Sequence, residues 1–129
     1  MSDRQFYNSF QQHRHSKAQT SGKLFSQLSK SDIEQRELVD FFVSEMQIHI
    51  AEMQYARDRN DLETIRKHAH QLKGAGAGFG FPLISELSTQ VDALIKANVS
   101  GAQLDQAIEN LMQNCRRVTA WPANELKET

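Results

Sequence analysis

The sequence predicts an all-α chain, an antiparallel four-helix bundle with a polar N-terminal extension. Two observations predict it. From residue 31 to about residue 118 the apolar residues recur at steps of three and four, the period of one helix face. No stretch alternates with a period of two, which leaves no credible strand, and the breaks between periodic stretches are short enough to fold neighbouring helices back on each other.

Residues 1–30 are rich in Ser, Gln, His, Lys and Asn, with scattered Phe6, Tyr7 and Phe10, and read as a partly flexible extension. Within it Leu24, Phe25 and Leu28 have the spacing of a short helix that caps a core. His13 and His15, in a polar tail, read as solvated side chains. The first long helix is expected to start at a Ser31 or Asp32 cap and to bury Leu38, Phe42, Met46, Ile50, Met53 and Ala56. Arg57, Arg59 and Asn60 suit its end. Asp61 opens a second helix with Leu62, Ile65, Ala69, Leu72, Gly76 and Phe79 on one side. Gly80-Phe81-Pro82 is a turn, and Pro82 fits the first position of a third helix carrying Leu83, Leu87, Val91 and Leu94. Ser100 is placed to cap a fourth, with Leu104, Ile108, Leu111, Cys115 and Val118 inward. The domain reading is an extension at 1–30, a bundle at 31–118 and a tail at 119–129.

At 129 residues one domain with a real core is expected. Hydrophobic residues are 39% and charged residues 24%, and the formal net charge is -1, so neither nucleic acid nor an anionic membrane is indicated as partner. A single cysteine, Cys115, excludes an internal disulfide framework and the common zinc clusters, and reads as a small buried thiol. The N-terminus has no apolar run and no stretch of the chain is long and apolar enough to span a bilayer, which makes a cytoplasmic monomer the expectation.

The segment HAHQLKGAGAGFG, residues 68–80, is the most unusual. It fails as a phosphate-binding loop: no G-x-x-x-x-G-K-(S/T) occurs, and G-x-G-x-x-G meets Phe79 or Phe81 where the last glycine should be. It fails as a metal clip too. His68 and His70 point about 200° apart on a helix, and the positions four residues from His70 are Arg66 and Gly74. On a helical wheel His70 falls about 130° from the centre of the apolar face, while His68 lies about 70° from it, at the edge of the core. Arg66, Lys67, Lys73, Gly74 and Ala77 fall within about 60° of His70.

An exposed imidazole ringed by cations is suited to carry a phosphoryl group, since neutral imidazole is a good nucleophile near neutral pH and positive neighbours stabilise the attached phosphate. Gly74, in a helix interior, costs about 1 kcal/mol against alanine and so marks a backbone that something approaches closely. The chain is expected to have no second catalytic group near His70, with no carboxylate on the exposed patch to act as a base or to hold magnesium, so the helix is a carrier that needs a partner rather than a complete enzyme.

His70-Gln71-Leu72-Lys73-Gly74-Ala75-Gly76, closed by Gly80, resembles the H-x-L-K-G-(S/A)-(S/A)-x-x-x-G signature of histidine-containing phosphotransfer (HPt) domains. It departs only at Gly76, where Ala or Ser is more usual. Asn60-Asp61 before the motif helix, Pro82 after it and the helices that follow also look like this family, so the resemblance covers roughly residues 31 to 118. It implies a four-helix bundle in which His70 is phosphorylated and exchanges phosphate with aspartates of receiver domains. By position, Lys73 would assist the phosphate and Gly74 would give the receiver access. Arg66, Lys67, Gln71 and Ala77 would border the docking face. The implied partners are response-regulator receivers and a hybrid histidine kinase, with no cofactor and no metal. The alternatives are a phosphorylated module of a larger hybrid or chemotaxis-type kinase, and a docking adaptor that carries no phosphate.

Overall fold

The structure, a computed structural model, describes residues 22–28 and 32–120. Phe6, Tyr7, Phe10, His13, His15, Ser31 and the tail beyond Ala120 lie outside the described residues. Among the described residues there are four helices: α1 (Ile33–Asp58), α2 (Leu62–Gly78), α3 (Pro82–Lys96) and α4 (Ala102–Cys115). Two short strands, β1 (Leu24–Phe25) and β2 (Val118–Thr119), pair in parallel.

The helix boundaries follow from capping chemistry. Asp32 accepts from the Glu34 and Gln35 amides at the start of α1. Asp61 accepts from the Thr64 amide at the start of α2 and also takes the Thr64 hydroxyl at 2.7 Å. Three helices end in the same way, with a left-handed residue just past the cap: Asn60 at φ 58°, Gly80 at φ 89° and Asn98 at φ 59°. At each, the next residue's amide reaches back to a last-turn carbonyl: Asp61 to Ala56, Phe81 to Gly76 and Val99 to Leu94. Asp61 thus closes α1 and opens α2 at once, which makes that corner tight. Pro82 stands at the start of α3 as its fixed φ favours. The expected Ser100 cap is not used: Gly101, at φ 83°, is the cap of α4, and no side chain bonds there.

The core contains Val39, Phe42, Met46, Met53 and Ala56 of α1 with Ile65, Ala69 and Leu72 of α2, Ile84, Leu87 and Val91 of α3, and Leu104, Ile108, Leu111 and Cys115 of α4. Phe42 stacks on Phe79 and on Phe81, with centroids 5.1 and 5.5 Å apart, and these rings close the end of the bundle where α2 turns into α3. Burial pushes the Cys115 thiol up to about 12, so it acts as a small apolar side chain. Contacts between α1 and α2 descend one helix as they climb the other, from Phe42 with Phe79 to His49 with His68. No helix among the described residues is long and apolar enough to cross a membrane.

Besides the Ser100 cap, two further expectations about elements change. Leu38 does not enter the core; it is half exposed, and Val39 takes the inward place, in step with Phe42, Met46 and Met53. Residues 24–28 form no capping helix and the chain does contain strand. Leu24 and Ser26 donate to the Arg117 and Ala120 carbonyls, while the Gln27 amide and Ser26 hydroxyl bond the Gly80 and Phe79 carbonyls at 2.8 and 2.7 Å. The segment is a strap over the α2–α3 turn. It also requires glycine at position 80, because a Cβ there would run into Ser26 Oγ and the Gln27 and Leu28 amides.

Candidate functional site

The middle of α2 presents the residues singled out in the sequence on its outer surface. His70 has 59% of its side chain exposed, and Lys67, Gln71, Gly74 and Ala77 are exposed around it. Arg66 and Lys73 are half-buried on the side toward α3. His68, two residues from His70, turns inward to His49 and Glu52 of α1.

α3 supplies what α2 lacks. A carboxylate does lie near the imidazole, contrary to the expectation that the chain has none beside His70. Asp92 is 3% exposed, and its Oδ2 lies 3.0 Å from Lys73 Nζ, 3.5 Å from Lys96 Nζ and 3.6 Å from His70 Nδ1. Its Oδ1 is 3.5 Å from Arg66, too far for a hydrogen bond. Burial alone would raise the Asp92 carboxyl; the hydrogen bond from Lys73, the nearby His70 imidazole and the charges of Lys96 and Lys73 outweigh it and hold the group below the usual carboxylate range. Arg66 also forks onto Glu63 at 2.7 and 3.2 Å, whereas Lys67 makes no ion pair among the described residues.

Asp92 and Lys96 escaped a reading confined to one helix. The available signal was a carboxylate four residues after Ser88 and three before Ile95, on the inward side of α3, where an acid needs cationic partners from elsewhere.

Glycines shape the surface in two opposite ways. A Cβ at Gly74 or Gly78 would meet no described atom within 4 Å, so nothing inside the fold asks for glycine at either place. At Gly76 a Cβ would stand 2.9 Å from the Ser85 amide, 3.2 Å from the Phe81 carbonyl and 3.3 Å from Ile84 Cβ. The departure at Gly76 therefore has a cause: α3 starts directly against the α2 backbone. The Ser85 hydroxyl completes the contact by bonding the Lys73 carbonyl at 2.5 Å, fixing α3, and Asp92 with it, relative to His70.

The arrangement is an exposed nucleophile on a rigid helix, backed by a buried anion and bordered by cations and bare backbone. The family model of the Hpt domain matches residues 37–122, which contain the motif helix and Asp92. Searches of curated proteins and of solved structures return no match. With more than half of its length covered by that match, the chain belongs to the Hpt domain family, whose members carry out histidine phosphotransfer with receiver domains in two-component phosphorelays.

Proposed function

We propose that this protein is a phosphocarrier whose His70 accepts a phosphoryl group from a receiver-domain aspartate and passes it to another receiver. The observation that carries the reading is the placement of His70, an exposed imidazole with the Asp92 carboxylate 3.6 Å from its Nδ1. With Nδ1–H toward the Asp92 carboxylate, the lone pair falls on Nε2, which attacks phosphorus. The N–P bond forms as the bond from phosphorus to the receiver's aspartyl oxygen breaks, and that oxygen leaves with the electron pair.

Attack leaves positive charge on the ring, and Asp92 at 3.6 Å is placed to offset it, as a buried carboxylate does for a catalytic imidazole in general. Lys73, now paired with Asp92, lies one helical turn from His70 and is within reach of a phosphate on it. Return of the group to a receiver reverses each step. The partner supplies any metal, and a hybrid histidine kinase supplies the first phosphorylated receiver.

Mixing the protein with a radiolabelled phosphorylated receiver, and then with a second unlabelled receiver, tests the reading. Label should pass through the carrier to the second receiver. A complex that forms without any transfer of label would make the protein an adaptor instead.

A further inference from the structure

A second pair of histidine-linked contacts lies on the other flank of α2. His49 of α1 and His68 of α2 meet edge to face, with centroids 5.0 Å apart, planes at 87° and Nδ1 atoms 2.8 Å from each other. His68 Nε2 stands 2.9 Å from Glu52 Oε1. With both rings neutral, these contacts assign the protons. The carboxylate only accepts, so His68 Nε2 carries hydrogen; a neutral ring has one, so His68 Nδ1 offers its lone pair and His49 Nδ1 is the donor. The gap between the rings holds a single proton. One further proton can be added at His49 Nε2 with the bond intact. The next has no place except the 2.8 Å gap, where two N–H groups of two cations would then face each other.

We propose that the His49–His68 contact is a pH-sensitive tie between α1 and α2, closed at neutral pH and parted when both imidazoles are charged. The His68 side chain is only 12% exposed, so the second charge cannot be hydrated in place. The charges acting on His49 are those of His68, Glu45 and Glu52; Glu52 is spent on His68 Nε2 and neither acid can occupy the gap. Burial first, and then the His68 charge, lower the proton affinity of His49 against the pull of the two glutamates. A histidine depressed in the folded state makes stability fall as pH drops below its unfolded value of 6.5 and level off below its folded value. Among the described residues no group of three His, Cys, Asp or Glu is arranged to hold a metal ion, which leaves protons as the ligand of this pair. Parting frees the middle of α1 from α2 but leaves the Lys73–Asp92 and Ser85–Lys73 contacts with α3 in place.

The test is a titration of the full chain by imidazole NMR, with amide hydrogen exchange read at each pH. The pair should take up its protons in two separated steps, with the His49 step below the range of an ordinary histidine. Exchange in residues 46–53 and 65–72, corrected for its intrinsic pH dependence, should rise about tenfold or more between about pH 7 and pH 5, whereas residues 84–91 of α3 should not follow. His49→Phe keeps a ring against His68 and removes the shared proton, so the acid-induced rise should vanish. Both rings titrating singly at ordinary values, or the same rise in His49→Phe, would overturn the proposal. The wild-type titration decides the matter even if that variant does not fold.

Discussion

Lys73 Nζ and Asp92 Oδ2 stand 3.0 Å apart, so the cation one turn from His70 is held by a buried carboxylate of the neighbouring helix instead of waiting free in solvent. A phosphate on His70, as proposed, would therefore have to compete with Asp92 for Lys73. That competition makes the two residues separable by mutation.

Asp92→Asn keeps the shape and removes the charge that orients and compensates the imidazole. Transfer from a phosphorylated receiver should slow by about 100-fold, the lower end of the range for a positioned acid–base group. The variant should also change the acid limb of stability. Because the folded Asp92 carboxyl is held below its ordinary value of 3.8, its contribution is present above that value and is lost as pH falls through the lower folded one. Thermal melts below about pH 4 should then show a shallower loss in Asp92→Asn than in wild type. Equal transfer rates in the two proteins would remove Asp92 from the mechanism.

Lys73→Ala should reduce transfer and leave the helical circular-dichroism signal near wild type, because the lysine is half-buried at the surface and Asp92 keeps Arg66 and Lys96 as partners. An unchanged rate would show that the remaining cations Arg66 and Lys67 suffice.

The glycines of α2 should respond in opposite directions. Gly74→Gln fills open space and favours the helix by up to about 1 kcal/mol, so the melting temperature should hold or rise. Its side chain would stand beside the imidazole and keep a receiver away, and a misplacement of about 1 Å can cost roughly 100-fold in rate. Transfer from a receiver should collapse while phosphorylation by a small donor such as phosphoramidate persists. Gly76→Ala drives a methyl against the Ser85 amide and Phe81 carbonyl, and should destabilise the fold by about 1–3 kcal/mol. Normal receiver transfer to Gly74→Gln would mean that access is not the reason for that glycine.

Much of this was legible in the sequence because it is local. Helix spacing, the Asp61 cap and the Pro82 start each depend on residues within a turn or two, and so does the exposure of His70 with Gly74 beside it. What escaped depends on distant partners. Asp92 meets His70 from another helix, and β1 is a strand only because Val118–Thr119 lies beside it at the far end of the chain. Leu38 and Val39 fit adjacent positions on one helical wheel, and only the packing of the neighbours selects Val39.

The strap predicts a boundary for truncation. A chain starting at Lys23 retains β1 and the bonds from Ser26 and Gln27 to the α2–α3 turn, and should melt near the full chain's temperature. A chain starting at Asp32 loses them, uncovers the Phe79 and Gly80 carbonyls, and should melt several degrees lower by calorimetry. Identical melting of the two truncations would show that the strap contributes nothing.

The central claim is that phosphate resides on His70, and the most direct measurement is the acid-labile label accepted from a phosphorylated receiver by wild type, His70→Ala and His68→Ala. His70 is an exposed side chain, so its alanine variant should fold normally and take up no label. His68→Ala, altered on the inward flank, should still be labelled. Label retained by His70→Ala would contradict the account.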